Sequence, residues 1–192
     1  MPGDFTTQRA LFGGAITSTF PLRFQDVSII RQVPDHQEVF VDPTRDESLI
    51  FELLNLKADV LDEGSATWFL QDLANEQDAE GTMRILNFEL MPAVVTTATG
   101  QMGISKGRQG REAQNIVKVY LANLRIKGVG TDVLITAYEP MLINSLSESA
   151  STVGAGFAVP AAQSGCMPMA EVLELAVSSF KVNDWSLFDV AR

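Results

Sequence analysis

The sequence predicts an α+β fold, an α/β/α layered sandwich in which helices flank a mainly antiparallel central β-sheet. Apolar residues recur at strand or helix spacing in the order strand, helices, several antiparallel strands and a final helix. The 192 residues contain no internal repeat, and the long loop-like stretches lie between elements that need each other's apolar faces. We therefore expect one domain over residues 1–192.

The first forty residues predict a terminus followed by short strands. Residues 1–9 are expected to be loose. Leu11–Thr17 is an apolar run crossed by two adjacent glycines, which indicate a bulge or a close backbone approach. Val39 and Val41 then occupy alternate positions before Pro43, which predicts a strand that ends at the proline.

Two helices are expected next. Thr44 and Glu47 have the spacing of a capping box, in which each side chain bonds the other residue's free backbone N–H. The apolar residues that follow at helical spacing are Leu49, Ile50, Leu53 and Leu54. A second helix is expected to begin at Gly64–Ser65, with a strand over Thr82–Met91 after it.

The second half of the chain predicts a hairpin and a terminal helix. Asn115–Lys127 and Val133–Leu142 have strand patterns, and the glycine-rich turn between them predicts antiparallel pairing. Pro168 fits the start of a helix. The apolar side chains expected on the sheet from this helix and the tail after it are Met169, Val172, Leu173, Ala176, Phe180, Trp185, Leu187 and Phe188.

Two stretches are expected to be flexible loops. Residues 96–111 are rich in Gly, Thr and Gln, and residues 145–165 consist mostly of Ser, Ala, Gly and Val. Such compositions provide little apolar surface to bury.

The charge balance narrows the class of partner. The formal net charge is -10, which opposes nucleic-acid binding and binding to anionic lipid. The chain also lacks the ~20-residue apolar run of a membrane helix. An acidic surface suits a basic protein partner, although it could serve solubility alone.

The sequence offers no convincing catalytic set, metal site or cofactor site. His36 is the only histidine and Cys166 the only cysteine, and they lie far apart in the chain. Gly103–Gly110 lacks the Gly-Lys-Ser/Thr ending of a phosphate loop. Gly128–Gly130 precedes a strand, whereas a dinucleotide fingerprint opens a helix. We therefore favour a binding protein without a cofactor over an enzyme.

The candidate binding residues lie between Leu11 and Val41. Charged and amide side chains cluster there around apolar strand residues, which are expected to be core: the polar candidates are Asp26, Arg31, Asp35, Gln37 and Glu38. They could form a partner surface. They could equally form a solvated loop, with Asp26 capping a turn, Asp35 forming an Asx turn and Arg31 pairing internally.

Two ordered motifs resemble those of the Ran guanine nucleotide release factor family. The first is Leu11-Phe12-Gly13-Gly14-Ala15-Ile16, followed by Phe24-x-Asp26-Val27-Ser28 and then by Arg31-Gln32-Val33-Pro34-Asp35-His36-Gln37-Glu38-Val39-Phe40. The second is the C-terminal Asp184-Trp185-Ser186-Leu187-Phe188. The resemblance covers about the first third of the chain and its extreme C-terminus.

The resemblance implies a central antiparallel sheet flanked by helices, similar to the PsbP-type fold. It implies binding to the small GTPase Ran, promotion of GTP release, and a role in nucleocytoplasmic transport in the nucleus, with the cytoplasm also open. It implies no bond chemistry, and a monomer is expected. An acidic scaffold or a small-ligand-binding protein of the same fold is the alternative.

Overall fold

The computed structural model of the chain describes residues 4–76, 83–90, 93–105 and 110–189. Within these ranges the chain forms eleven strands and three α-helices. In chain order they are β1 Thr6–Leu11, β2 Ile16–Pro21, β3 Gln25–Asp26, β4 Gln37–Asp42, β5 Glu47–Asn55, α1 Ser65–Glu76, β6 Met83–Leu90, β7 Ala93–Ile104, β8 Asn115–Ile126, β9 Thr131–Ile143, α2 Glu148–Val153, β10 Gly156–Phe157, α3 Met169–Ser178 and β11 Lys181–Val182.

The strands form two sheets in which all the described pairs are antiparallel. The central sheet has the order β3-β4-β5-β9-β8-β7-β6, with β10 paired to one end of β9. A smaller sheet has the order β1-β2-β11. The short strands β3 and β4 therefore lie at one edge of the central sheet.

Two apolar clusters cover opposite faces of the central sheet. Because successive side chains of a strand point to opposite faces, β8 sends Leu124 and Ile126 into one cluster and Val119 and Leu121 into the other. The first cluster packs against α3 and the small sheet, and the second packs against α1. The predicted α+β fold, with helices on both faces of an antiparallel sheet, is confirmed.

Several predicted elements are present at the expected places. The strands β8 and β9 form the expected hairpin, and α1 begins at Ser65. Helix α3 follows Pro168 and buries Met169, Val172, Leu173 and Ala176. The tail side chains of Leu187 and Phe188 pack against the first apolar cluster.

The helix expected after Pro43 is wrong, because residues 47–55 form β5. Glu47, Leu49 and Phe51 are buried while their neighbours are partly exposed, which is the two-residue period of a strand. The expected capping box is absent. The Thr44 amide and hydroxyl both donate to Asp42 Oδ1, at 2.9 and 2.7 Å, and Glu47 pairs with arginines.

The expected loose terminus is also wrong for the residues from Thr6 onward, which form β1 along β2. The glycine pair that follows makes the hairpin turn between these strands, so it is neither a bulge nor a close approach. Asp4 is held as well, because its Oδ2 accepts from Arg23 Nε at 2.7 Å and from the Met167 amide at 3.1 Å.

Both expected flexible loops contain regular structure. Residues 96–104 belong to β7, where Thr96, Ala98 and Met102 are buried on the face covered by α1, and residues 106–109 lie outside the described ranges. The Ala66 amide at the start of α1 donates to Thr96 Oγ1 of β7 at 3.1 Å. Residues 145–165 contain α2 and β10, and the Asn115 side-chain amide donates to Ser149 Oγ at 3.3 Å.

Candidate partner-binding surface

The predicted binding residues lie at the β3–β4 edge of the central sheet and in the segment that joins these strands. The segment begins with a single 3-10 turn, Val27–Ile29, whose Val27 side chain is buried. Asp26 caps the turn by accepting from the Ser28 amide at 2.8 Å. The predicted capping role of Asp26 is thus present, and its carboxylate is still partly exposed.

Glu38 connects this edge to the small sheet. Its Oε1 accepts a hydrogen bond from the Phe12 amide at 2.6 Å. Phe12, Gly13 and Gly14 all have positive φ angles, of 50°, 68° and 91°, so three successive residues of the turn between β1 and β2 are left-handed before Ala15 returns to φ -64°. Phe12 is a non-glycine residue in an unfavourable conformation, and the bond from Glu38 helps to hold it there.

The electrostatics around Glu38 are those of a half-buried acid. Burial raises the pKa of the Glu38 carboxyl, the Phe12 N–H opposes the rise, and the Asp26 charge adds to it. Arg9 lies nearby, with its guanidinium over the Phe20 and Phe40 rings and donating to the Phe24 carbonyl at 2.8 Å. Burial lowers the pKa of Arg9, and the Asp26 charge opposes that change.

Gln37 points to the opposite face of the sheet, because it precedes Glu38 on the same strand. Its Nε2 donates to Glu52 Oε1 of β5 at 3.1 Å, and His36 Nε2 lies 3.5 Å from the same oxygen. The sequence does not single out Glu52, since its position is expected to be helical. The register that pairs Gln37 with Glu52 follows only from the strand pairing.

Arg31 and Asp35 are exposed, and neither side chain has a hydrogen-bond or ion-pair partner in the described ranges. The expected Asx turn at Asp35 is replaced by a turn that the Gln37 amide closes on the Pro34 carbonyl at 2.9 Å. The internal pairing considered for Arg31 is likewise not found among the described residues. Both charges are thus available to a partner.

The five predicted residues therefore do not form one flat patch. Asp26 and Glu38 lie on the face that carries the small sheet, because Asp26 pairs in register with Phe40 of the first apolar cluster. Gln37 lies on the other face, and Arg31 and Asp35 project from the segment between the strands. A partner that contacts all five must reach around the sheet edge.

The apolar residues of the same segment are not all core, contrary to expectation. Val27 is buried, whereas Ile29 and Ile30 are exposed. The sequence pattern suits a strand, so it does not distinguish the buried Val27 from the exposed isoleucines. In the structure a tight turn directs both isoleucines outward.

No group of three or more His, Cys, Asp or Glu side chains in the described part of the chain could hold a metal ion. A cavity of about 400 Å³ has Cys166 in its wall, but the Arg45 side chain beside it is already bonded to Ser164 and the Val159 carbonyl. None of the described helices is long and apolar enough to cross a membrane.

Comparison with known proteins agrees with this fold. Residues 9–140 match the family model described as "Ran-interacting Mog1 protein". The chain is 35% identical over 154 residues to the Ran guanine nucleotide release factor of Danio rerio, an alignment that covers 74% of this chain and 83% of that protein. It is 33% identical over 194 aligned positions to the probable Ran guanine nucleotide release factor of Dictyostelium discoideum, covering 94% and 95% of the two chains.

The human Ran guanine nucleotide release factor is 34% identical over 137 residues, which cover 68% of this chain and 74% of that protein. Among solved structures, the crystal structure of the Saccharomyces cerevisiae Ran-binding protein Mog1p superimposes with a TM-score of 0.63 at 25% sequence identity. That superposition covers 97% of this chain and 100% of the yeast chain. The chain therefore belongs to the family of Ran-interacting Mog1 proteins.

Proposed function

We propose that this chain binds the small GTPase Ran and promotes release of its guanine nucleotide, in support of nuclear protein import. Family membership supports this proposal, because relatives carry the names Ran guanine nucleotide release factor and nuclear import protein mog1. The chain would act as a single-domain, monomeric regulator over residues 1–192, with no cofactor and no bond chemistry of its own. It would work in the nucleus, and a cytoplasmic pool is compatible with that role.

The observation that carries the proposed site is a pair of exposed charges between β3 and β4, Arg31 and Asp35, for which the described part of the chain provides no hydrogen-bond or ion-pair partner. Asp35 and Arg31 project from a segment whose backbone is fixed at both ends. Exposed charges on a held backbone cost little to bring into an interface, since few of the bonds seen among the described residues must break. We assign Asp35 and Asp26 to basic groups of Ran, and Arg31 and Gln37 to added hydrogen bonds.

Glu38 has a different role in this proposal. Its carboxylate is already used by the Phe12 amide, so it shapes the edge and adds negative charge to it. Charge reversal at Glu38 would disturb both the fold and the interface, and it therefore makes a poor test of binding.

The release activity follows from thermodynamic linkage. If the chain binds nucleotide-free Ran more tightly than nucleotide-loaded Ran, it must weaken nucleotide binding by the same factor. Acidic side chains that face basic groups of the GTPase would compete with the negative phosphates for those groups.

Asp35→Lys tests the proposed surface. We expect the association rate with Ran to fall about three- to tenfold at low salt, because a peripheral charge acts mainly on encounter. The melting temperature should stay within about 1 °C of the wild type, since exposed substitutions rarely change stability. Surface plasmon resonance at two salt concentrations measures the rate, and calorimetry measures the melting temperature.

Asp59→Lys is the control, because it makes the same charge change at a side chain that is 75% exposed in the loop after β5, where Asp59 Oδ1 lies 3.6 Å from Lys57 Nζ. An equal slowing by both variants would show a net-charge effect, and would remove Asp35 from the interface. Unchanged binding of Ran by Asp35→Lys would likewise remove Asp35 from the interface.

A further inference from the structure

Two large apolar side chains are exposed side by side next to the proposed charges. Ile29 is 82% exposed and Ile30 is 77% exposed. Single exposed apolar residues are common on protein surfaces, but two adjacent β-branched aliphatic side chains at this exposure leave a substantial apolar area in water. Neither isoleucine contributes to the two apolar clusters of the described core.

The backbone that carries these isoleucines is fixed. The Ile30 and Arg31 amides both donate to the Val27 carbonyl, at 2.9 and 3.1 Å. Val27 anchors the turn in the protein, and the Asp26 carboxylate caps its start. A partner would therefore meet the two side chains in one arrangement, with little conformational entropy to lose on binding.

The neighbouring charges indicate what covers the isoleucines. Interfaces typically place apolar anchors at the centre and charged groups at the rim, and Asp26, Arg31 and Asp35 flank this pair in the sequence. We propose that Ile29 and Ile30 insert into an apolar depression on Ran whose border carries basic groups complementary to the acidic flanks. This inference rests on the proposed function, and it assigns the apolar centre of that interface.

The test is the double variant Ile29→Ser/Ile30→Ser, measured for binding to Ran by surface plasmon resonance. We expect the dissociation rate to rise at least about tenfold, because buried anchors govern the lifetime of a complex. The salt dependence of the association rate should stay as in the wild type, because no charge has changed. Leu61→Ser is the matched control, since Leu61 is 79% exposed in the segment before α1.

The outcomes separate this inference from the proposed function. Wild-type protein that fails to bind Ran overturns the proposed function, and the inference with it. Wild-type binding with an unchanged dissociation rate in the double variant overturns the inference alone. Light scattering of the free chain gives one further outcome: self-association that the double variant abolishes would show that a second copy covers the isoleucines, and would overturn the assignment to Ran.

Discussion

Glu38 illustrates how the structure changes the meaning of a single residue. The sequence marks it as an exposed acid in a charged segment, but its carboxylate reaches the Phe12 amide of the β1–β2 turn. That contact spans 26 positions of the chain, and it depends on how the small sheet packs on the central one. The pattern of charges could predict a cluster here, but it could not predict which acid holds the fold and which faces outward.

The raised pKa of Glu38 gives a pH dependence with a defined sign. The carboxyl has a higher pKa in the folded than in the unfolded chain, so the folded state binds the proton more readily. Stability from this group is present below the unfolded pKa, and is lost as pH rises through the folded pKa. In Glu38→Gln the neutral amide oxygen can still accept from the Phe12 amide. Because glutamine does not ionise, this variant does not lose stability at position 38 as pH rises.

We therefore expect the stability of Glu38→Gln, relative to the wild type, to improve as pH is raised from about 4 to about 7. Urea unfolding at several pH values gives the difference in unfolding free energy. Glu148→Gln serves as the control, because it makes the same chemical change outside the β3–β4 edge, in the first turn of α2. A relative stability of Glu38→Gln that falls with rising pH would contradict the account of this carboxyl.

At the scale of elements, the sequence correctly predicts the strands and helices whose apolar residues recur at either the strand period or the helix period, but not at both. The hairpin of β8 and β9 has long alternating runs joined by a glycine turn, and α3 has an unmistakable helical stripe. β5 is ambiguous, because the doublets Leu49-Ile50 and Leu53-Leu54 suit a helical stripe as well as a strand. β7 is not predicted over residues 96–104, because its Gly, Thr and Gln content is also typical of a loop.

The assignment of β5 as a strand predicts unequal effects at two adjacent positions. Leu49 is completely buried, whereas Ile50 is partly exposed on the opposite face. Leu49→Ala should cost about 2–5 kcal/mol of unfolding free energy, as expected for a large-to-small change in a packed core. Ile50→Ala should cost clearly less, and urea denaturation of both variants provides the comparison.

The two substitutions serve as controls for each other, because each removes methyl groups from an aliphatic side chain of the same strand. A helical stripe would bury both positions against the same neighbours. Equal losses at the two positions would therefore argue for the helix and against the strand.

At the scale of the whole molecule, the charge and the family motifs predict the class of function, while the arrangement of the surface requires the fold. A net charge of -10 favours a basic protein partner, and the motif order indicates the family. The alternation of side chains along β4 puts Gln37 and Glu38 on opposite faces, and the register between β4 and β5 places Glu52 beside Gln37. Pairings between distant strands are set by the global packing, so no local pattern could reveal the contact between Gln37 and Glu52.

The central claim is that this chain promotes nucleotide release from Ran, and the dissociation rate of a fluorescent GTP analogue from Ran tests it most directly. With excess unlabelled nucleotide present, the rate should rise with the concentration of the chain and then level off as Ran becomes saturated. Asp35→Lys should require a higher concentration to reach the same rate, while Asp59→Lys should match the wild type. A dissociation rate that does not change with the concentration of the wild-type chain would contradict the account.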